Sequence, residues 1–231
     1  MGIDWSLDKT VLESLLGAIG RTPLVRLERI REREGIEPEL LGKIEFMNPT
    51  GSHKDRAYYE MITKAVERGE LKPGMEILEA STGNAGISCA FIGRMLGFKV
   101  TIIIPEGMSR ERMKTLQAYG ARIITTPGGE SDIDLSIKKA LEMKEREPER
   151  YWIPNQFDNP DNVAAHYKTT APEIWEQTGG RIDCFLAAPG TGGTLTGVGR
   201  YLKERKPGIL IYAAEPKEAP TISKARWGTH R

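Results

Sequence analysis

Lys54 is the residue around which chemistry is most readily built in this chain of 231 residues. It lies in Asn48-Pro49-Thr50-Gly51-Ser52-His53-Lys54-Asp55-Arg56, at the mouth of an expected helix and beside small hydrogen-bonding side chains. A lone lysine there is ordinarily one more charge on a solvated helix, its stem lying along apolar surface. Two loops weigh against that reading. Ser81-Thr82-Gly83-Asn84-Ala85-Gly86 follows an apolar run at 75–78, and Gly190-Thr191-Gly192-Gly193-Thr194 follows Phe185-Leu186-Ala187-Ala188. Each then leads into a helical segment, as a strand-to-helix turn does.

In the 190–194 loop, three glycines let backbone N–H groups approach an anion, two hydroxyls donate, and a helix N-terminus lies behind. A phosphate suits it; the alternative is a tight turn that needs glycine for positive φ. The lysine of a G-x-x-x-x-G-K-[ST] loop is missing, which disfavours nucleotide hydrolysis. Leu195 stands where a dinucleotide fingerprint needs its third glycine, so that reading is minor even with Glu215 at the end of the next strand. The 81–86 loop offers Ser81, Thr82 and Asn84 as donors to a second anion, such as an amino-acid carboxylate, or as plain helix caps. Two anion cradles and a helix-mouth lysine together suit a phosphate-bearing aldehyde held by the lysine as a Schiff base.

The elements that must position these loops alternate along the chain. Apolar, β-branched-rich runs predict strands at 41–46, 75–79, 99–104, 121–125, 183–188 and 209–213. Amphipathic stretches predict helices at 55–68, 85–96, 109–119, 131–146, 161–177 and 195–206. Such alternation predicts an α/β fold with mainly parallel, helix-flanked sheets, whose ligands sit at the carboxyl ends of strands. A change of domain is expected near 150–160. The 33 basic and 32 acidic residues leave a net charge of +1, with no electrostatic footprint for nucleic acid or an anionic membrane. Cys89 and Cys184 form no C-x-x-C pair, which argues against a zinc site or disulfide framework and for buried thiols in a reducing cytosol. No metal is expected. The opening residues 1–6 lack the blocks of a signal peptide and no apolar run approaches a bilayer span, so a cytoplasmic protein is expected.

With these residues in place, the chain resembles the fold-type II pyridoxal-phosphate enzymes, the cysteine synthase and cystathionine β-synthase family, over nearly its whole length. The resemblance is carried by Ile19-Gly20-Arg21-Thr22-Pro23-Leu24-Val25-Arg26-Leu27, by the segment around Lys54, by Gln156-Phe157-Asp158-Asn159-Pro160, by His166-Tyr167-Lys168-Thr169-Thr170, and by 190–194 with Leu195-Thr196-Gly197. It implies a tryptophan synthase β-like architecture of two domains with twisted sheets. Residues 40–155 would form the smaller, mobile domain, and 1–39 with 156–231 the larger one. The cofactor implied is pyridoxal 5'-phosphate, with Lys54 as its Schiff-base lysine and later the base for the substrate α-proton. Asn84 would hydrogen-bond the ring hydroxyl oxygen, and Gly190, Thr191, Gly192, Gly193 and Thr194 would hold the phosphate. Ser81, Thr82, Asn84 and Gln156 would bind the substrate carboxylate. The activity implied is β-replacement on an O-activated serine (O-acetylserine or O-phosphoserine) by sulfide or a thiol, through an aminoacrylate, in a homodimer.

Ala85 departs from the family, which usually carries threonine there, so one donor to a carboxylate is missing. The spellings NPTGSHKDR and STGNAG lean toward threonine synthase, whereas QFDNP, HYKTT and GTGGTLTG favour the cysteine group. Cystathionine β-synthase and serine/threonine dehydratase chemistry, or a non-catalytic ligand-binding homologue, are the other readings. Family chains continue into further strands beyond the position of Arg231, so the C-terminal part of the large domain is expected to be missing. His53, Tyr58, Tyr59, Met108 and Met113 are expected to pack rather than react.

Overall fold

A computed structural model describes residues 11–129, 132–218, 220, 222 and 223. The chain's first residues, Ser131 at the expected start of a helix, and the ending at 227–231 lie outside the described residues. Strand β1 (Leu24–Arg26), helix α1 (Glu28–Arg33) and strand β2 (Leu41–Lys43) open the fold, with β2 antiparallel to β1 and Gly42 opposite Val25. Helix α2 (Lys54–Glu67) follows. Its buried Ala57, Tyr58, Met61, Ile62 and Ala65 recur at helical spacing and form one apolar stripe.

The central layer is a four-stranded parallel sheet of β3 (Glu76–Ala80), β4 (Lys99–Pro105), β5 (Arg122–Thr126) and β6 (Tyr151–Trp152), in the order β5-β4-β3-β6. Crossovers α3 (Asn84–Met95), α4 (Arg110–Ala118) and α5 (Ile133–Arg146) return each strand to the same direction. β4 is buried along its length apart from Lys99, because helices cover both faces of the sheet. The two faces divide by the period of two along a strand. Ile77 and Ile102 pack with Tyr58, Met61 and Cys89, whereas Leu78 and Ile103 pack with Ala140 and Tyr151.

A second body begins with α6 (Pro160–Ala165), a π-helical turn over His166–Thr170 and α7 (Ala171–Gln177), which run as one helix. Pro172 has no N–H and would crowd a regular helix. The widened turn just ahead of it, in which the Ala171 N–H donates to the His166 carbonyl, accommodates the change. Strands β7 (Cys184–Ala187) and β8 (Leu210–Ala213) pair in parallel across α8 (Gly193–Arg205). α8 crosses the π turn closely. A Cβ on Gly197 would lie 2.4 Å from the Val163 carbonyl oxygen, so only glycine fits there.

Arg56 ties these parts together. Its guanidinium is 2% exposed and donates to both oxygens of Glu45 (2.8 and 2.8 Å) and both of Glu173 (2.7 and 2.8 Å). Glu173, on α7, also accepts from Lys43 Nζ (2.6 Å) and the Arg21 N–H (2.8 Å), and Thr22 donates to Glu45 (2.6 Å). Burial alone would disfavour charge on Arg56 and Glu173. Their mutual bonds outweigh it, lifting the guanidinium further and holding Glu173 down at about 2.

The expected α/β architecture with parallel sheets is the one observed, with differences at the first strand. The strand expected at 41–46 ends at Lys43, and Glu45–Met47 turns as a 3₁₀ helix because Glu45 must face Arg56. The β1–β2 pair is antiparallel, and α1, β1 and β6 were not expected. Each is six residues or fewer, too short to establish a period.

Arg56→Ala leaves two half-buried carboxylates without the guanidinium they share. It is expected to lower stability by about 3–5 kcal/mol in chemical denaturation, the range for removing one partner of a buried pair. A loss below about 1 kcal/mol would contradict this account of the network. Gly197→Ala is expected to cost about 1–3 kcal/mol through overpacking against the π turn, read in the same assay.

Candidate active site

Three strand ends and one helix start supply the site. β3 ends at Ala80 and gives the 81–84 loop, β6 gives the 153–159 segment with Gln156, and β7 gives the 188–192 loop. Lys54 is the first residue of α2. The turn before it is fastened to α3 through Asp55, whose carboxylate accepts from the Thr50 N–H (2.8 Å), the Thr50 hydroxyl and the Ser88 hydroxyl (2.6 Å). Gly51, at φ +85°, makes the turn possible.

Lys54 is half-buried, and its amine makes no hydrogen bond or ion pair with the described residues. Burial lowers its pKa, with Glu79 acting in the opposite direction. Such an amine is biased toward the neutral, nucleophilic form.

The 190–194 loop meets Lys54 through its neighbour. His53 Nδ1 lies 3.1 Å from Thr194 Oγ1, and Thr194 Oγ1 lies 3.2 Å from His166 Nε2. His166 Nδ1 in turn contacts Thr170 Oγ1 at 2.9 Å. Burial lowers both imidazoles, His53 to about 4 and His166 to about 3, with Lys54 and His53 respectively adding repulsion. Both rings are therefore neutral at pH 7. A hydroxyl has one proton to give, so one ring accepts from Thr194 while the other donates to it.

The loop has the features a phosphate needs. Gly192 adopts φ +80° and places no side-chain cap on α8, which leaves that helix end open to an anion. A Cβ on Gly193 would fall 2.2 Å from Asn162 Oδ1, so the backbone lies bare against that side chain. Asn162 Nδ2 donates to Thr191 Oγ1 (2.8 Å) and to the Gln156 carbonyl (2.8 Å), joining the 190–194 loop to the Gln156 segment. Asn155, at φ +48°, turns the backbone immediately before Gln156.

In the 81–84 loop, Ser81 Oγ accepts from the Gly83 and Gly86 N–H groups at 3.2 and 3.1 Å, so its oxygen serves as a cap while its proton stays available. The side chains of Thr82 and Asn84 are not engaged by described residues, and Asn84 is exposed. A free amine, a glycine-lined helix end whose side-chain cap is limited to a 3.5 Å contact of the Gly193 N–H with Thr191 Oγ1, and unengaged polar side chains fit pyridoxal phosphate. Among the described residues, no group of three or more His, Cys, Asp or Glu is arranged to hold a metal, and no helix is long and apolar enough to cross a membrane. Surface clefts of about 310 and 300 Å³ lie elsewhere, one beside Arg21 and Met47 and the other beside Glu39 and Arg181.

Sequence reasoning left Asp55, Arg56, Glu79, Asn162 and His166 without roles. His166 stood inside a recognised segment, but nothing local signals that its ring meets Thr194, 28 residues away. Tyr58 and His53 were expected to pack; Tyr58 is fully buried, whereas His53 also contacts the 190–194 loop. Of the two cysteines expected to be buried, Cys89 is, but Cys184 is exposed, on the open face of β7.

Two predictions follow from this geometry. Thr194→Val leaves both ring nitrogens without their shared partner and is expected to cost about 1–3 kcal/mol without any cofactor, whereas Thr194→Ser is expected to cost little. Equal denaturation midpoints for the two variants would refute the bridge. Stability is expected to fall as pH drops from about 6.5, where unfolded histidines take up protons that His53 and His166 refuse until about 4 and 3. It falls further below pH 4.5 as Glu173, depressed to about 2, loses its advantage over the unfolded chain. Unfolding free energies measured from pH 8 to 4 check this, and a flat profile would contradict it.

Comparison with known proteins bears on the same residues. The family model described as "Pyridoxal-phosphate dependent enzyme" matches residues 15–230. A probable cysteine synthase of Bacillus subtilis is 46% identical over 92% of this chain and 68% of its own length. A cystathionine beta-synthase of Apis mellifera is 45% identical over 90% of this chain but 41% of its own. The crystal structure of a cysteine synthase from Entamoeba histolytica superposes with a TM-score of 0.94 at 40% identity, covering all of this chain and 68% of that one. The chain thus spans about two thirds of the length of these cysteine synthases. The chain belongs to the pyridoxal-phosphate-dependent enzyme family.

Proposed function

We propose that the protein catalyses β-replacement on an O-activated serine, O-acetylserine or O-phosphoserine, with sulfide as nucleophile, forming cysteine. The observation that carries this reading is the meeting of an unengaged, half-buried Lys54 with the glycine-lined end of α8 through the His53–Thr194 contact. Similarity to the cysteine synthases supports it.

Pyridoxal 5'-phosphate, when bound, supplies an electron sink for the charge left at the substrate Cα. Lys54 would hold its aldehyde carbon. The backbone N–H groups of Gly190, Thr191, Gly192, Gly193 and Thr194, with the α8 dipole and the Thr194 hydroxyl, would hold its phosphate. Asn84 would donate to the ring oxygen. Ser81, Thr82, Asn84 and Gln156 would fix the substrate carboxylate and so orient the Cα–H toward Lys54, whose neutral amine takes the α-proton at Nζ. The reading includes a two-domain division, 40–155 closing over 1–39 with 156–231, and a cytoplasmic homodimer. Its supports are the separate cores on either side of position 155 and the family resemblance.

A second reading, cystathionine β-synthase chemistry, is favoured by the similarity to the relative in Apis mellifera.

The test begins with the protein and pyridoxal phosphate. Borohydride reduction followed by peptide mass spectrometry is expected to place the cofactor on Lys54, and Lys54→Ala is expected to lose the visible absorbance and at least about 10³-fold in turnover. Wild-type protein is then given O-acetylserine with sulfide or with homocysteine, and the product identified. Cofactor on another lysine, or turnover that survives Lys54→Ala, would sink the proposal; homocysteine used in preference to sulfide would favour the second reading.

A further inference from the structure

The 190–194 loop and the Gln156 segment meet at one buried amide, that of Asn162. The residue is 3% exposed and lies in the first turn of α6, where its N–H donates to the Asn159 carbonyl (3.1 Å). The Arg68–Asp161 ion pair (2.7 Å) fastens that turn to α2. From there the side chain reaches both loops: one N–H of Nδ2 goes to Thr191 Oγ1 and the other to the Gln156 carbonyl, each at 2.8 Å. Its Oδ1 is buried with no hydrogen bond. A buried acceptor without a partner is costly, so the amide is kept in this orientation by what it gives to the two loops.

The chemistry of the partners forces that orientation. A backbone carbonyl can only accept, so the group facing Gln156 has to be the NH₂. Turned over, the amide would set its oxygen against the Gln156 carbonyl oxygen and leave two more groups unpaired. Nor is there room to slide away, because the amide lies against the bare Cα of Gly193, where a Cβ would fall 2.2 Å from Oδ1 and 2.6 Å from Cγ.

Thr191 takes its direction from this contact. Its oxygen accepts from Asn162 and, weakly at 3.5 Å, from the Gly193 N–H, which uses both lone pairs. Only its proton is left to give, and among the described residues no acceptor takes it. On the other side, Gln156 is held by its carbonyl while its side chain has no described partner. The backbone around it is fixed, since the Asn155 carbonyl accepts from the Asp158 and Asn159 N–H groups (3.1 and 2.9 Å) and Asn159 Nδ2 donates to the Pro154 carbonyl (2.9 Å).

We propose that Asn162 is a positioning residue for both anion sites: it turns the Thr191 hydroxyl proton toward an anion in the 190–194 loop, and it ties that loop to the segment whose Gln156 side chain faces the substrate carboxylate. Because one rigid amide serves both, an anion in the loop strengthens the hold on the carboxylate, and by linkage the reverse holds. The identity of the two anions, cofactor phosphate and substrate carboxylate, rests on the proposed function; the aim of Thr191 is measurable with inorganic phosphate alone.

The experiment compares wild-type protein with Asn162→Asp, which keeps the shape but donates nothing to Gln156 and draws the Thr191 proton to itself. Pyridoxal phosphate and pyridoxal, which has the aldehyde but no phosphate, are titrated by absorbance, and inorganic phosphate is titrated calorimetrically into cofactor-free protein. The variant is expected to bind pyridoxal phosphate and inorganic phosphate about 10–100-fold more weakly, the range for a hydrogen bond to a charged group, with pyridoxal unchanged. In protein loaded with pyridoxal phosphate, it is expected to weaken L-serine more than L-serinamide, which lacks the carboxylate. If Asn162→Asp does not fold, Asn162→Ala removes the donor without adding charge. It is expected to weaken inorganic phosphate in the wild-type background and to add little in Thr191→Val, where no hydroxyl remains to be aimed. Equal losses for pyridoxal and pyridoxal phosphate, equal losses for L-serine and L-serinamide, or additive effects of the Asn162 and Thr191 variants would overturn the proposal, since a merely structural Asn162 moves all ligands together. Inorganic phosphate bound in an Asn162-dependent way by a protein that takes up no pyridoxal phosphate would remove the proposed function and leave Asn162 as the residue that aims Thr191. Wild-type protein that binds neither would overturn both.

Discussion

The buried guanidinium of Arg56, held by two carboxylates, is the constraint on which the rest of the structure depends. It lies two residues after Lys54, and its partners come from the 45–48 turn and from α7. The same carboxylates reach back to Thr22, Lys43 and the Arg21 N–H. Buried ion pairs add little net stability over well-packed apolar side chains, but removing one partner is expensive. The network therefore acts chiefly on geometry. It permits one placement of the α2 N-terminus against α7, and the continuous helix containing α7 carries His166 to Thr194. A lysine at the mouth of α2 is thereby held at a set distance from the 190–194 loop, more than 130 residues away.

Within that frame the site is electrostatically quiet. His53 and His166 are neutral, Lys54 is biased toward the free amine, and the histidines contact the 190–194 loop by hydrogen bonds through Thr194. An anion at α8 would meet backbone N–H groups and a helix dipole before it met a charged side chain. A chain of net charge +1 could in this way hold an anion without a basic patch. It also keeps positive charge away from Lys54, where it would compete for the role of the amine. The acidic exception, Glu79, is buried on the face of β3 that carries Ile77.

The fold supplies this arrangement by bringing separate packing units to one line of loops. The four-stranded sheet has its own cores on each face, and the β7–β8 pair has another built from Ala171, Ile174, Val198 and Leu202. All the parallel strands that feed the site present their carboxyl ends to it. Close approach at Gly193 and Gly197 lets α8 lie against Asn162 and the π turn, so the 190–194 loop is seated on the continuous helix that bears Glu173.

The sequence by itself determined the alternation of strands and helices, because buried parallel strands and amphipathic crossovers leave periodic marks. Most of their boundaries fell within two residues of those observed. It also determined which residues bear chemistry: Lys54 at a helix mouth, and the glycine and hydroxyl loops after two strands, are local patterns with local physical reasons. The short elements α1, β1 and β6 left no period to read, and the strand at 41–46 was cut short at Lys43 by a tertiary demand, the contact of Glu45 with Arg56. Only the tertiary structure decided that Arg56 binds Glu173, that Thr194 stands between two imidazoles, and that Asn162 joins Thr191 to Gln156. These pairings join residues that are distant along the chain, and neither spacing nor residue type encodes which buried polar group will meet which until the apolar faces have packed.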